Sequence, residues 1–232
     1  KRLIAYLSVS HMGVALMGLF ALNVEGIEGS VLQMINHGIS TGALFILLGF
    51  LYTRRHTYEI SQLKGIGKVA PVFAGIFTLV MLSSIGVPGL NGFVGEFLIL
   101  LGTFMAHRWW AVVAATGVII AALYLLWAYQ RVFQGEPDEA NKSFPDLNIS
   151  EKLVLVPLIA LIIFLGIYPK PVLDRIEPSV KRVVTRLEMK VDGFQEPITR
   201  NGADLLRITE SSHTMNGEHG LGIAANGPEA NK

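Results

Sequence analysis

The sequence contains no cysteine, which removes disulfides, thiolate metal sites, iron–sulfur ligation and Cys-attached haem from the possibilities. Any redox chemistry linked to this chain must then belong to partners. Charge is also scarce: Asp, Glu, Lys and Arg supply 16% of the residues and the formal net charge is +1. No long-range field recruits nucleic acid, and the basic residues lie scattered beside apolar runs rather than in a cluster. Phosphate-binding loops, nucleophilic triads, paired catalytic carboxylates and metal-ligand clusters find no match. The sequence opens Lys1-Arg2-Leu3 with no initiator Met, and no n-region, h-region and cleavage site can be drawn. The expectation is therefore the interior of a longer protein.

What is present is apolar. Hydrophobic residues make up 51% of the chain and the mean hydropathy is +0.49, far from a charge-rich soluble domain. A span needs about 20 apolar residues, and the pattern predicts an all-α, polytopic transmembrane bundle of about five spans. The first covers 3–23 and is followed by a polar loop, Val24 to Gly29; the second covers 30–52 and stops at Arg54-Arg55-His56. The run 69–105 is too long for one straight span and is interrupted at 86–92 by Gly86-Val87-Pro88-Gly89-Leu90-Asn91-Gly92, so it reads as two half-helices. Span 109–130 carries no charge and sets Trp109, Trp110, Tyr124, Trp127 and Tyr129 towards its ends, as interfacial belts prefer. Span 153–168 follows a polar link. An amphipathic interfacial helix is expected over 169–190 and a disordered polar tail over 191–232. Gly38, Gly42 and Gly49 have the spacing of a close helix contact.

Lys1, Arg2, Arg54, Arg55, Lys64, Lys68, Arg131, Lys142 and Lys152 fall on one face if the broken segment crosses once, and the positive-inside rule makes that face cytoplasmic. A re-entrant hairpin at 86–92 is the competing topology.

Three ionisable side chains lie deep in the spans, where charge is costly and marks functional sites by default, commonly proton relays: His11, His37 and Glu96. His11 sits roughly 15 Å from the start of its helix, near the middle of a core about 30 Å thick. An imidazole both donates and accepts a proton near neutral pH. Glu96 stands about one turn into the second half-helix, after a break whose freed backbone groups must line protein or water. A lone His also serves as a packing residue bonded to a neighbouring helix; two of them with a buried carboxylate favour a relay. Ser8, Ser10, Ser40, Thr41, Ser83 and Ser84 are weaker candidates, because hydroxyls in spans commonly bond their own helix.

The stretches Lys1-Arg2-Leu3-Ile4-Ala5-Tyr6-Leu7-Ser8-Val9-Ser10-His11-Met12-Gly13, Gln33-Met34-Ile35-Asn36-His37-Gly38, Gly86-Val87-Pro88-Gly89 and Gly92-Phe93-Val94-Gly95-Glu96-Phe97 resemble the proton-translocating, antiporter-like membrane subunits of respiratory complex I, most closely the chain 4 type. The resemblance runs from Lys1 to about Pro171. It implies the last five spans of a fourteen-span subunit built from two inverted five-helix repeats, with His11 and His37 on a hydrated polar axis and Glu96 near the outward proton route. It also implies NADH, FMN, iron–sulfur clusters and quinone in partner subunits and none here. The implied partners are other membrane subunits of complex I and the lipid bilayer, in a bacterial plasma membrane. Leu7 departs from the pattern, standing where a small polar residue is expected, and the tail matches nothing in the family. Subunits of Mrp-type Na⁺/H⁺ antiporters or membrane-bound hydrogenases are the neighbouring reading; a structural membrane scaffold is the alternative of another class.

Overall fold

The computed structural model describes Lys1–Val191 and Phe194. The expected disordered tail, 191–232, lies outside the described residues apart from those two. The described chain is helical: α1 Arg2–Phe20, α2 Val24–Arg55, the short α3 Ile66–Val69, α4 Pro71–Ile85, α5 Asn91–Ala106, α6 Arg108–Phe133, α7 Ile149–Ile167 and α8 Lys170–Lys190. Four of these, α1, α2, α6 and α7, are long and apolar enough to cross a membrane, and α4 and α5 are shorter apolar helices. The fold class is thus a polytopic helix bundle with one discontinuous helix.

The second helix begins at Val24, so the segment expected as a polar loop, Val24 to Gly29, is its first two turns. Asn23 explains the start. Its side chain accepts from the Gly26 N–H at 2.8 Å, capping the helix, and its amide donates to the Gly102 carbonyl at 2.7 Å. Gly26 and Gly29 are there for close approach rather than for a turn: a Cβ at Gly26 would strike the Gly18 backbone, and one at Gly29 would strike Leu98 and Ile99. Gly38, Gly42 and Gly49, expected at a helix contact, have no neighbour among the described residues that an added Cβ would meet. The packing glycines are the ones that looked like loop residues.

Contacts along α2 set the path of the broken helix. Ser83 of α4 meets Ser40, Asn91 meets Asn36, Gly95 abuts Gln33, and Gly102 abuts Gly26. As α4 and α5 advance, their partners on α2 recede, so the two half-helices run once, end to end and antiparallel to α2. A hairpin would instead have laid α5 back along α4. Gly86 makes the break with φ +80°, closing α4 in a left-handed cap.

At the C-terminal end of α2, Arg54 donates to both carboxylate oxygens of Glu151 at 2.8 and 2.5 Å and to the carbonyls of Pro145 and Asp146. Asp146 in turn accepts from the Val72 and Phe73 N–H groups, capping α4 from a distant loop. At the other end of α2, Ile27 packs with Val180 and Val184 of α8. The amphipathic helix expected at a membrane interface thus has its apolar stripe on α2. The main core, with Leu44, Leu47, Phe73, Met81 and Ile162 fully buried, fills the space between α2, α4 and α7.

Candidate functional site

His11, His37 and Glu96, predicted from sequence alone, converge where α1, α2 and α5 meet. The two imidazoles lie edge to face with ring centroids 5.5 Å apart, and His11 Nε2 lies 3.7 Å from Glu96 Oε1. His11 is 7% exposed and Glu96 5%; His37 is half-buried. Glu96 Oε2 faces the backbone of Gly86, which has no room for a Cβ there. The break therefore needs glycine twice, for its backbone angle and for the carboxylate against it.

Hydroxyls hold the half-buried imidazole. Ser8 Oγ is 2.7 Å from His37 Nε2 and Thr41 Oγ1 is 3.2 Å from His37 Nδ1; the donor in each pair follows the tautomer. Ser8 and His37 thus join α1 to α2. A cavity of about 10 Å³ lies against His11, Gln33, Asn36, His37, Thr41 and Ser83, at the lower limit for one water. A larger cavity of about 880 Å³ sits away from these residues, at the basic end between Lys1, Tyr58, Lys64 and Arg131.

Three polar residues that the sequence left unassigned complete the site. Gln33 Nε2 donates to Glu96 Oε1 at 3.4 Å. The Asn36 amide donates to the Asn91 carbonyl at 2.7 Å and the Asn91 amide donates to the Asn36 carbonyl at 3.4 Å, a reciprocal pair that ties the first residue of α5 to α2. Ser40 and Ser83 lie 2.8 Å apart with Asn91 Oδ1 within reach of both, and the single proton of each hydroxyl goes to one of these acceptors at a time. These two hydroxyls cross between helices, whereas Ser30, Thr78 and Ser84 also bond a carbonyl one turn back. The available signal was the spacing of Gln33, Asn36 and Ser40, three residues on one face of an apolar helix. Leu7, the departure noted above, is fully buried in the apolar core. No group of three His, Cys, Asp or Glu comes together to hold a metal among the described residues.

The arrangement offers a chain of groups that each take and release a proton: a hydroxyl, two imidazoles and a carboxyl, all at the depth of the break. The family described as NADH:quinone oxidoreductase/Mrp antiporter, TM, matches residues 1–121, over half the chain and all three of these residues. The chain belongs to this family. Within this antiporter family, the NADH-quinone oxidoreductase subunit M of Mycobacterium tuberculosis (strain CDC 1551 / Oshkosh) is 45% identical over 214 residues, 91% of this chain and 38% of that protein. The subunit M of Rhodobacter capsulatus is 46% identical over 79% of this chain and 36% of that protein. Among solved structures, respiratory complex I from Thermus thermophilus with bound NADH contains a chain that superposes with a TM-score of 0.74 at 35% identity, covering 79% of this chain and 39% of that one. The chain spans less than two fifths of the length of these relatives. The mycobacterial match is longer than residues 1–190, so the similarity runs into the tail that was expected to match nothing in the family.

Proposed function

We propose that this chain is the C-terminal part of a proton-translocating membrane subunit of NADH:quinone oxidoreductase. In this reading protons pass between His37, His11 and Glu96, driven by quinone reduction elsewhere in the complex. The observation that carries it is the placement of His11 between a second imidazole and a carboxyl at a helix break, in a chain whose relatives bear the name of that enzyme's subunit M. Imidazole exchanges protons near neutral pH with little penalty, and the hydroxyl of Ser8 fixes the outer ring. Glu96 lies on the second turn of α5, buried at the break with Gln33 and His11 beside its carboxyl.

NADH, FMN, iron–sulfur clusters and quinone then belong to the partner subunits, and the neighbours of this chain are other membrane subunits of complex I and lipid, in a bacterial plasma membrane. The Mrp half of the family description keeps Na⁺/H⁺ exchange as a second reading, which Na⁺-dependent transport without NADH would favour.

The test is redox-driven proton uptake and NADH:quinone turnover in vesicles holding the assembled complex, with subunit content checked by gel. Glu96→Gln keeps size and much of the hydrogen bonding but cannot release a proton. It is expected to lower both rates by about tenfold or more, with Glu96→Asp between Gln and wild type. An assembled Glu96→Gln complex that pumps at the wild-type rate overturns the relay and leaves Glu96 a packing residue.

A further inference from the structure

Glu96 has a partner whose hydrogen bonding is incomplete. Gln33 is 2% exposed, its Nε2 donates to Glu96 Oε1, and its other terminal atom, Oε1, is buried with no hydrogen-bond donor. Gly95, the residue before Glu96, lies so close to Gln33 that a Cβ would strike the Gln33 backbone and side chain. The amide is thus pressed against the helix that carries the carboxyl, and neither can move away without parting α2 from α5. A buried acceptor left unpaired is costly and calls for a physical reason.

A second state follows from the chemistry of the two groups. A carboxylate only accepts, so it is served by the N–H end of an amide. A carboxylic acid carries one O–H, which must donate, and it is served by the C=O end. Rotation of the Gln33 amide about its last torsion exchanges these ends within nearly the same volume and leaves the backbone in place. We propose that Gln33 is the positioning residue for Glu96, its amide donating to the carboxylate and, inverted, accepting from the acid, so that Glu96 stays in line with His11 in both charge states. Leu or Met at this position would fill the space and serve neither state. Asn36, one turn further along α2, also has a buried side-chain oxygen without a donor, but its amide N–H is given to the Asn91 carbonyl rather than to the carboxyl, so Gln33 is the amide that meets Glu96.

The proposal rests on the proton-relay reading of Glu96, and its test has a readout that does not depend on pumping. Infrared difference spectra of the assembled complex, taken between high and low pH, contain the acid C=O band of Glu96, identified by its loss in Glu96→Gln. The other titratable groups facing Glu96 are His11 from α1 and, behind it, His37 from α2. No charged residue occurs in α4, and those of α6 and α7 lie in their terminal turns. In Gln33→Leu the Glu96 band is expected to move to higher frequency, as an acid that has lost its acceptor does, and pumping to fall on the order of tenfold. In the Glu96→Gln background the same Leu substitution is expected to cost nothing further, because a residue acting only through Glu96 has nothing left to position. Gln33→Asn, an amide one methylene shorter, is expected to fall between Leu and wild type and carries the band test if the Leu variant does not assemble. An unmoved Glu96 band overturns the proposal, as does an undiminished Leu effect without Glu96. Normal pumping by Glu96→Gln would instead overturn the functional reading, and the band shift would still decide whether Gln33 serves both charge states.

Discussion

His11 Nε2 stands 3.7 Å from Glu96 Oε1, and this contact joins the first helix of the chain to the second half of a broken one. The distance is longer than a hydrogen bond; Glu96 is held by Gln33, and His37, the ring beyond His11, by Ser8 and Thr41. An imidazole kept just out of bonding distance of a carboxyl is suited to exchange a proton with it, directly or through one water, without forming a locked pair.

The two histidines are expected to differ in weight. His11 is the neighbour of Glu96, so His11→Ala is expected to slow redox-driven pumping more than His37→Ala, each in an assembled complex. Ser8→Ala removes only the hydroxyl on His37 and is expected to have a smaller effect in the same direction. Equal, wild-type rates in the double alanine variant would show that neither ring carries protons.

At the basic end of the bundle, Arg54 makes a two-oxygen contact with Glu151 while also serving two loop carbonyls. Both side chains are largely buried. Arg54→Ala leaves Glu151 without its partner and is expected to destabilise the bundle by about 3–5 kcal/mol, whereas replacing both by apolar residues is expected to cost much less. Thermal retention of the subunit in detergent-extracted complex measures this. A single substitution no worse than the double one contradicts it.

Asp146 lies in the loop between α6 and α7. Burial pushes its carboxyl up, but the Leu147, Val72 and Phe73 N–H groups outweigh burial and hold it below the ordinary value. A carboxyl depressed in the folded state stabilises fully above its unfolded value, near 3.9, and that contribution is lost as pH falls through the folded value. Protease cleavage of the loop around Pro145 is therefore expected to rise below about pH 4, and Asp146→Asn to show raised cleavage at neutral pH with little further change on acidification. Cleavage in the variant that tracks wild type at every pH refutes the cap.

Topology is open to labelling because the chain has no cysteine of its own. Asp146 touches Arg54, whereas Val180 packs beside Ile27, 27 residues earlier in the same helix and so about 40 Å away. An impermeant maleimide is expected to reach Glu139→Cys from the cytoplasmic side and Glu188→Cys from the opposite side. Labelling of both from one side would mean that α2 does not cross.

The sequence alone determined the helical, bilayer-embedded character of the chain, the break at Gly86 to Gly92 and the three ionisable residues. Each depends on a local cost that no fold can hide: charge in an apolar run, or a proline and glycines inside a helix. It could not locate Gln33, Asn36 and Asn91, because an amide in a span pairs with its own helix, a neighbour or water, and only the facing surface chooses. It also misplaced the start of α2, since Gly26 and Gly29 carry the same composition whether they turn the chain or admit another backbone. The tertiary structure decided those points, because the antiparallel register of the broken helix along α2 sets which residue meets which. The same register brought Glu96 to His11, eighty-five positions apart in the sequence.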